Sequence, residues 1–319
     1  MDKRTRSGVI IAFVSILVGW FLISDLKPEK RETFSFLTMG TAARFSFYGS
    51  DPDTLSEMYK AGQKAFDDVI CIANLYAPDS ELVRLNKTAY AKEFICSDLL
   101  WQMILEAEKA FYFSEGAFDI TVKPLMDLWG FYRKKQQPPS DEEIRRTLEK
   151  VGFKKLILDR KKKTLRFSVD GMALDLGGIA KGFALDLAAE KLAAFKVRGV
   201  LDLGGNLKFL GGRKVYRAAI KDPARPERLV PQILEVPPGY AVSTSGDYER
   251  KVLYGGRTYG HIIDPVKGYP PPSECSATVV LPSAACADWL STAVFLKGKS
   301  LAEKAEKQMP CCRVILVKK

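Results

Sequence analysis

One histidine, His261, stands in the 319 residues, inside Tyr259-Gly260-His261-Ile262-Ile263-Asp264-Pro265. An unperturbed pKa close to neutrality makes it the natural side chain to take or give a proton there. The competing role is structural, a histidine that ends a strand or satisfies a buried hydrogen bond, so its company has to decide. Upstream, Ser243-Thr244-Ser245-Gly246-Asp247-Tyr248 reads as a turn, and downstream lies Ala287-Asp288-Trp289-Leu290-Ser291-Thr292. These are small polar and acidic groups of the kind that line a phosphate or metal site. Asp288 and Thr292 are four apart at an apparent helix start, which puts both oxygens on one face within reach of a hard cation. Asp288 could instead be the cap of that helix. Asp175-Leu176-Gly177-Gly178-Ile179-Ala180-Lys181-Gly182 places a carboxylate at a strand end, two glycines in a turn and a lysine in the first helical turn. Glycines let backbone approach a ligand, and a helix N-terminus offers N–H donors and positive potential to phosphate. A second turn, Asp202-Leu203-Gly204-Gly205-Asn206, repeats the pattern and could be a tight loop only.

The elements that must position these residues follow from periodicity. Alternation at 33–37 and 43–48 predicts two strands around Met39-Gly40-Thr41. Apolar residues at helical spacing predict helices over 53–74, 99–114, 141–151 and 180–194. Strands are expected at 156–158, 164–167, from Ala173 into the Gly-Gly turn, at 199–203, 207–210, 215–220 and 232–235, and over 311–317. Hairpins mixed with single helices, without repeated βαβ units, give an α+β class with mixed or antiparallel sheets and packed helices.

Lys and Arg number 49 against 38 Asp and Glu, and the excess of +11 is spread along the chain as solvated turns. No zinc-finger, RNP or basic-helix pattern accompanies it, so no nucleic-acid partner is expected. Six cysteines lack CxxC spacing, which with one histidine leaves no zinc set. Basic Lys3, Arg4 and Arg6 precede an uncharged run from Ser7 to Ser24. As a helix, that run would span about 27 Å, close to the hydrocarbon thickness of a bilayer. Small residues of a cleavage site are not evident. Residues 1–25 are therefore expected to be one transmembrane anchor or uncleaved signal in the inner membrane, with 26–319 a catalytic domain on the periplasmic side.

The chain resembles the FAD:protein FMN transferase family, the ApbE family, from Phe34 to Val317. The matching blocks are Thr38-Met39-Gly40-Thr41; Tyr76 to Glu81 with Arg84-Leu85-Asn86; Gly116 to Val122 with Pro124 and Leu128-Trp129-Gly130-Phe131; Asp175 to Gly182; Val242 to Arg250; His261 to Gly268; and Ser276 to Val280 through Ala287 to Ala293. Each block is ordinary alone, and it is their order that makes the likeness specific. The resemblance implies an ApbE-like fold and a Mg2+ enzyme that takes FAD as substrate. FMN would pass to a Thr or Ser hydroxyl of a protein, with AMP released. It implies FAD contacts at Met39, Tyr76, Ala117, Phe118, Asp119, Asp175, Lys181 and Ile263. The metal would be held by Gly178 through its carbonyl, with Asp288, Thr292 and Ser291, and His261 would serve the acceptor hydroxyl or orient the phosphate. The implied acceptor is a flavoprotein subunit of a membrane redox complex with a Ser/Thr-Gly-Ala-Thr/Ser-like site. Two departures stand out: Lys123 where a small residue is usual, and Tyr216 where Trp is common. A plain FAD pyrophosphatase and a non-catalytic FAD carrier would use the same pocket.

Overall fold

The computed structural model describes residues 31–49, 51–133, 135–212, 214–225, 227–246, 251–271 and 275–318. The expected anchor over 7–24 lies outside them, and no helix among the described residues is long and apolar enough to cross a membrane.

In chain order come β1 (Arg31–Thr38), β2 (Thr41–Tyr48), α1 (Pro52–Ala73), α2 (Glu81–Thr88), β3 (Phe94–Ile95), α3 (Asp98–Phe113), α4 (Lys123–Leu128) and α5 (Asp141–Leu148). Then follow β4 (Leu156–Asp159), β5 (Thr164–Phe167), α6 (Ala180–Leu192), β6 (Arg198–Leu203), β7 (Asn206–Leu210), β8 (Tyr216–Lys221), β9 (Leu229–Val236) and β10 (Ala241–Gly246). The chain closes with β11 (Lys251–Tyr254), β12 (Arg257–Gly260), β13 (Cys275–Leu281), α7 (Ala284–Lys297), α8 (Lys299–Gln308) and β14 (Arg313–Lys318).

Seven strands form the central sheet in the order β1-β2-β6-β7-β10-β13-β14. Every ladder among the described residues is antiparallel, so the expected α+β class holds in its antiparallel form. The period of two along each strand divides the core between the two faces of this sheet. Phe45, Leu201, Leu203, Ala277 and Val279 face the main cluster, which α1, α3, α6 and α7 share. Val200, Phe209, Val242 and Val280 point the other way, where the β8–β9 hairpin covers them with Tyr216, Ile220, Leu234 and Val236. Tyr216, the departure noted above, is thus a core residue, and its hydroxyl donates to the Leu210 carbonyl at 2.5 Å. A third, smaller cluster joins Leu125 and Trp129 to Ile144, Tyr254 and Ile263.

Several local expectations are corrected. The segment Ser243–Gly246 is strand β10 rather than a turn, because its small residues pair with β13 from Ala241↔Leu281 to Gly246↔Ser276. Residues 173–176 form no regular strand. Asn86 takes the place of a strand neighbour, its Nδ2 donating to the Leu174 carbonyl at 2.9 Å and its Oδ1 accepting from Leu174 N–H at 2.7 Å. Asp288 is not a helix cap, since Ser283 caps α7 and accepts from Cys286 N–H at 3.1 Å. The terminal strand starts at Arg313, two residues later than expected, after Cys311 with its φ of 77°.

Candidate active site

Small side chains let α6 and α7 meet. A Cβ on Gly182 would lie 2.3 Å from the Ala284 carbonyl oxygen, so only glycine lets the first turn of α6 rest on the first turn of α7. Asp186, one turn further along α6, fixes that crossing by accepting from the free N–H groups of Ala284 and Ala285 at 2.9 and 3.0 Å. The start of α6, by contrast, has no side-chain cap. One donor of its first turn, Gly182 N–H, reaches Asp288 Oδ2 at 3.0 Å.

Around Asp288 the structure gathers oxygen-rich side chains from three elements. Asn206, at the start of β7, donates from Nδ2 to Asp288 Oδ1 at 2.8 Å, and Ser243 Oγ donates to Asn206 Oδ1 at 2.8 Å. Ser243 and Ser245 alternate with Thr244 on β10, so both hydroxyls face α7 while Thr244 pairs with Thr278 across the strands. Ser245 Oγ lies 2.8 Å from Ser291 Oγ and 3.0 Å from Thr292 Oγ1. Ser291 donates to the Asp288 carbonyl at 2.9 Å, the back-bonding open to a helical serine. Lys181 Nζ stands 3.6 Å from Asp288 Oδ1, its side chain 25% exposed against 4% for the aspartate. Burial of a carboxylate costs its hydration, and the lysine, the Asn206 amide and the Gly182 N–H offset that loss.

A second group lies on the other side of the Gly177-Gly178 turn. Asp175 Oδ1 accepts from Gly177 N–H at 2.8 Å, and Asp175 N–H donates to the Ile120 carbonyl at 2.7 Å. Tyr132 donates its hydroxyl to Asp175 Oδ2. Burial and the neighbouring carboxylate hold that phenol well above its ordinary pKa, so it stays a donor. Lys123 Nζ sits 4.6 Å above the Tyr132 ring and 2.6 Å from Asp127, and exposed Tyr76 lies 5.7 Å from Tyr132 between ring centroids. A Cβ on Gly178 would be 2.9 Å from the Phe118 ring, which also packs against Trp289 of α7. This turn therefore joins the two groups.

The remaining expected residues are placed as follows. Met39 occupies the left-handed position of the β1–β2 turn, with φ of 48°. That turn abuts the Gly204-Gly205 turn, where Gly204 N–H donates to the Ala42 carbonyl at 3.0 Å, and so lies at the end of the sheet from which Asn206 starts. Ala117 is buried beside Phe118. Asp119 spends its carboxylate within the fold, accepting from Thr121 N–H at 2.8 Å and Phe153 N–H at 2.9 Å, while burial raises its pKa. Ile263 likewise buries its side chain in the third cluster. His261, partly buried, opens the loop after β12. The far end of that loop is fixed by Trp129 Nε1, which donates to the Gly268 carbonyl at 2.8 Å. Ser243 and Ser245 belong to the polar segment that the sequence pointed to as lining a phosphate or metal site, while Asn206 and Tyr132 are participants that spacing alone did not single out. Asn206 carried a signal as the polar residue closing a Gly-Gly turn.

An antiparallel α+β fold that buries one carboxylate among hydroxyls, a lysine and the N-terminus of α6 has the chemistry to receive a hard cation beside an anionic group. Residues 39–316 match the ApbE family, and the chain belongs to it and is a transferase. It is 31% identical to the FAD:protein FMN transferase of Haemophilus influenzae, over 96% of this chain and 91% of that one. With the enzyme of the same name from Vibrio cholerae it shares 30% identity, over 96% and 93%. Among solved structures, the ApbE protein of Thermotoga maritima superposes with a TM-score of 0.83 at 28% identity, covering 91% of this chain and 94% of that one. The flavin transferase ApbE of Vibrio cholerae gives 0.78 at 29% identity, covering 92% and 94%.

Proposed function

We propose that this protein moves the FMN half of FAD onto a Thr or Ser hydroxyl of an acceptor protein, in a reaction dependent on Mg2+. The observation that carries this reading is the gathering of Lys181 and the hydroxyls of Ser243, Ser245, Ser291 and Thr292 around buried Asp288 at the start of α6. The acceptor oxygen attacks the phosphorus of the FMN half, a phosphodiester forms, the bond to the AMP phosphate breaks, and AMP departs with the electron pair. The hydroxyl proton passes to His261.

Asp288, Ser291, Thr292 and the Gly178 carbonyl are hard oxygen donors and fit Mg2+, which supplies charge neutralisation on the pyrophosphate when bound. One carboxylate with neutral oxygens would make up the protein's share. Such a set suits Mg2+, which characteristically leaves several coordination positions to water and substrate phosphate. Lys181 and the α6 N–H groups add fixed positive potential for the same phosphates. Tyr76, Met39, Phe118 and Asp175 would hold the rest of FAD, with Ala117, Asp119 and Ile263 contributing main chain.

The run over 7–24 would anchor the chain in the inner membrane with the catalytic domain outside the cytoplasm. Its partner there would be a membrane redox subunit bearing a Ser/Thr-Gly-Ala-Thr/Ser-like site. Incubation with FAD, Mg2+ and such an acceptor tests the reading. Expected are a fluorescent flavin band on the acceptor in a denaturing gel and AMP equal to the flavin attached. FMN and AMP formed equally with and without acceptor would mean hydrolysis instead, and bound FAD with no turnover would mean a carrier.

A further inference from the structure

The inference rests on the cation reading just given and concerns what shares Asp288 with the cation. Asp288 Oδ2 is held by Gly182 N–H at 3.0 Å, so it points into the α6 backbone. Oδ1 is the oxygen left to face the hydroxyl cluster, and it is also the one that Lys181 Nζ approaches to 3.6 Å. An ammonium and a divalent cation drawing on one buried oxygen repel each other strongly, because the Coulomb energy of two like charges a few ångströms apart is little screened below the surface. Asn206 also reaches that oxygen, but its amide is neutral and opposes a cation far less.

We propose that Lys181 is a tethered competitor for the cation site, and that the pyrophosphate of FAD relieves the competition by drawing the ammonium away from Asp288. Lys181 is the second residue of α6, anchored where N–H groups already attract an anion. Its side chain is a quarter exposed while Asp288 is almost wholly buried, so the flexible lysine can change partner and the aspartate stays. Cation and FAD then raise each other's affinity, as linkage requires of any such exchange. The protein holds the cation tightly only when its substrate is present.

The test is Mn2+ binding to the whole protein, read by the electron paramagnetic resonance of free Mn2+, with and without FAD. Lys181→Met and Lys181→Gln remove the charge, and Lys181→Arg keeps it. Without FAD, the two neutral variants should bind Mn2+ at least about tenfold tighter than wild type, the ratio given by ~1.4 kcal/mol of relieved repulsion. Lys181→Arg should match wild type. FAD should tighten Mn2+ binding in wild type and Lys181→Arg more than in the neutral variants. Equal or weaker Mn2+ binding by both neutral variants overturns the competition while leaving the cation reading in place. No Mn2+ bound by any of the four proteins, with or without FAD, removes the cation reading and the competition with it.

Discussion

Asp288 is a charge taken out of water, and its surroundings are what that requires. Two neutral N–H donors and one ammonium compensate it, and hydroxyls of Ser243, Ser245, Ser291 and Thr292 extend the polar region. Asp288→Ala should abolish flavin transfer while FAD affinity falls only a few fold, because the lost group acts on phosphate charge and the aromatic contacts remain. Isothermal titration with FAD and gel fluorescence on one preparation check both halves; full transfer by Asp288→Ala, or by wild type in EDTA, would remove the metal from the reaction. His261→Ala should lower transfer by about 10² to 10⁴ and leave FAD affinity within a few fold, since a base acts in the transition state. A structural histidine would instead show as a lower melting temperature together with weaker FAD binding. At this scale the sequence announced Asp288 and Thr292, because four residues on one helix is a local relation. It pointed to the Ser243–Ser245 segment as polar lining but not to its contact with α7, nor to Asn206, because that approach depends on β7, β10 and β13 becoming neighbours over distances that no window spans. The alternation of Ser243 and Ser245 was visible, but small polar residues are equally at home in turns, and the neighbouring glycine tipped the reading wrongly.

The elements hold the site through two close approaches. At Gly182, α6 lies against the start of α7, and a methyl group there would overlap the Ala284 carbonyl at 2.3 Å. Gly182→Ala should therefore cost about 1–3 kcal/mol by overpacking and, by pushing the helices apart, weaken transfer more than a surface substitution of equal thermal cost. Differential scanning calorimetry and transfer rate, compared with a similarly destabilised variant away from the site, separate the two effects; an unchanged melting temperature would show that the crossing is looser than described. Gly268 plays the matching part in the histidine loop, where its φ of 79° and the Ile144 methyl 2.4 Å from a would-be Cβ both require glycine. Helices α1 and α3 were legible because apolar residues recur at helical spacing and their starts carry the Asp51 and Ser97 caps. The 173–176 segment was misread as a strand because its bonding partners, Asn86 and Ile120, are not on strands. Helix α7, buried on nearly every side, offers no amphipathic stripe, so only its polar residues were noticed.

Across the whole molecule, one sheet serves two cores, and the site occupies the helix-covered face. Its first strand begins at Arg31, paired with Tyr48, and the ladder runs without interruption to Thr38 opposite Thr41. Among the described residues every member of β1 already has its partner on β2, so a chain without the apolar run over 7–24 keeps this edge of the sheet. A chain beginning at Lys27 should be soluble, melt as the full-length protein does and transfer flavin at an undiminished rate. The full-length protein should sediment with membranes at its intact mass, because the uncharged run follows three basic residues and lacks small residues at a cleavage position. Detergent, and not high salt, should release it, since an uncharged, mostly apolar run of about 18 residues partitions by hydrophobic transfer that salt does not weaken. Membrane fractionation followed by intact-mass spectrometry decides the matter: a mature start near residue 25 would mean a cleaved signal, with an exported but unanchored transferase domain.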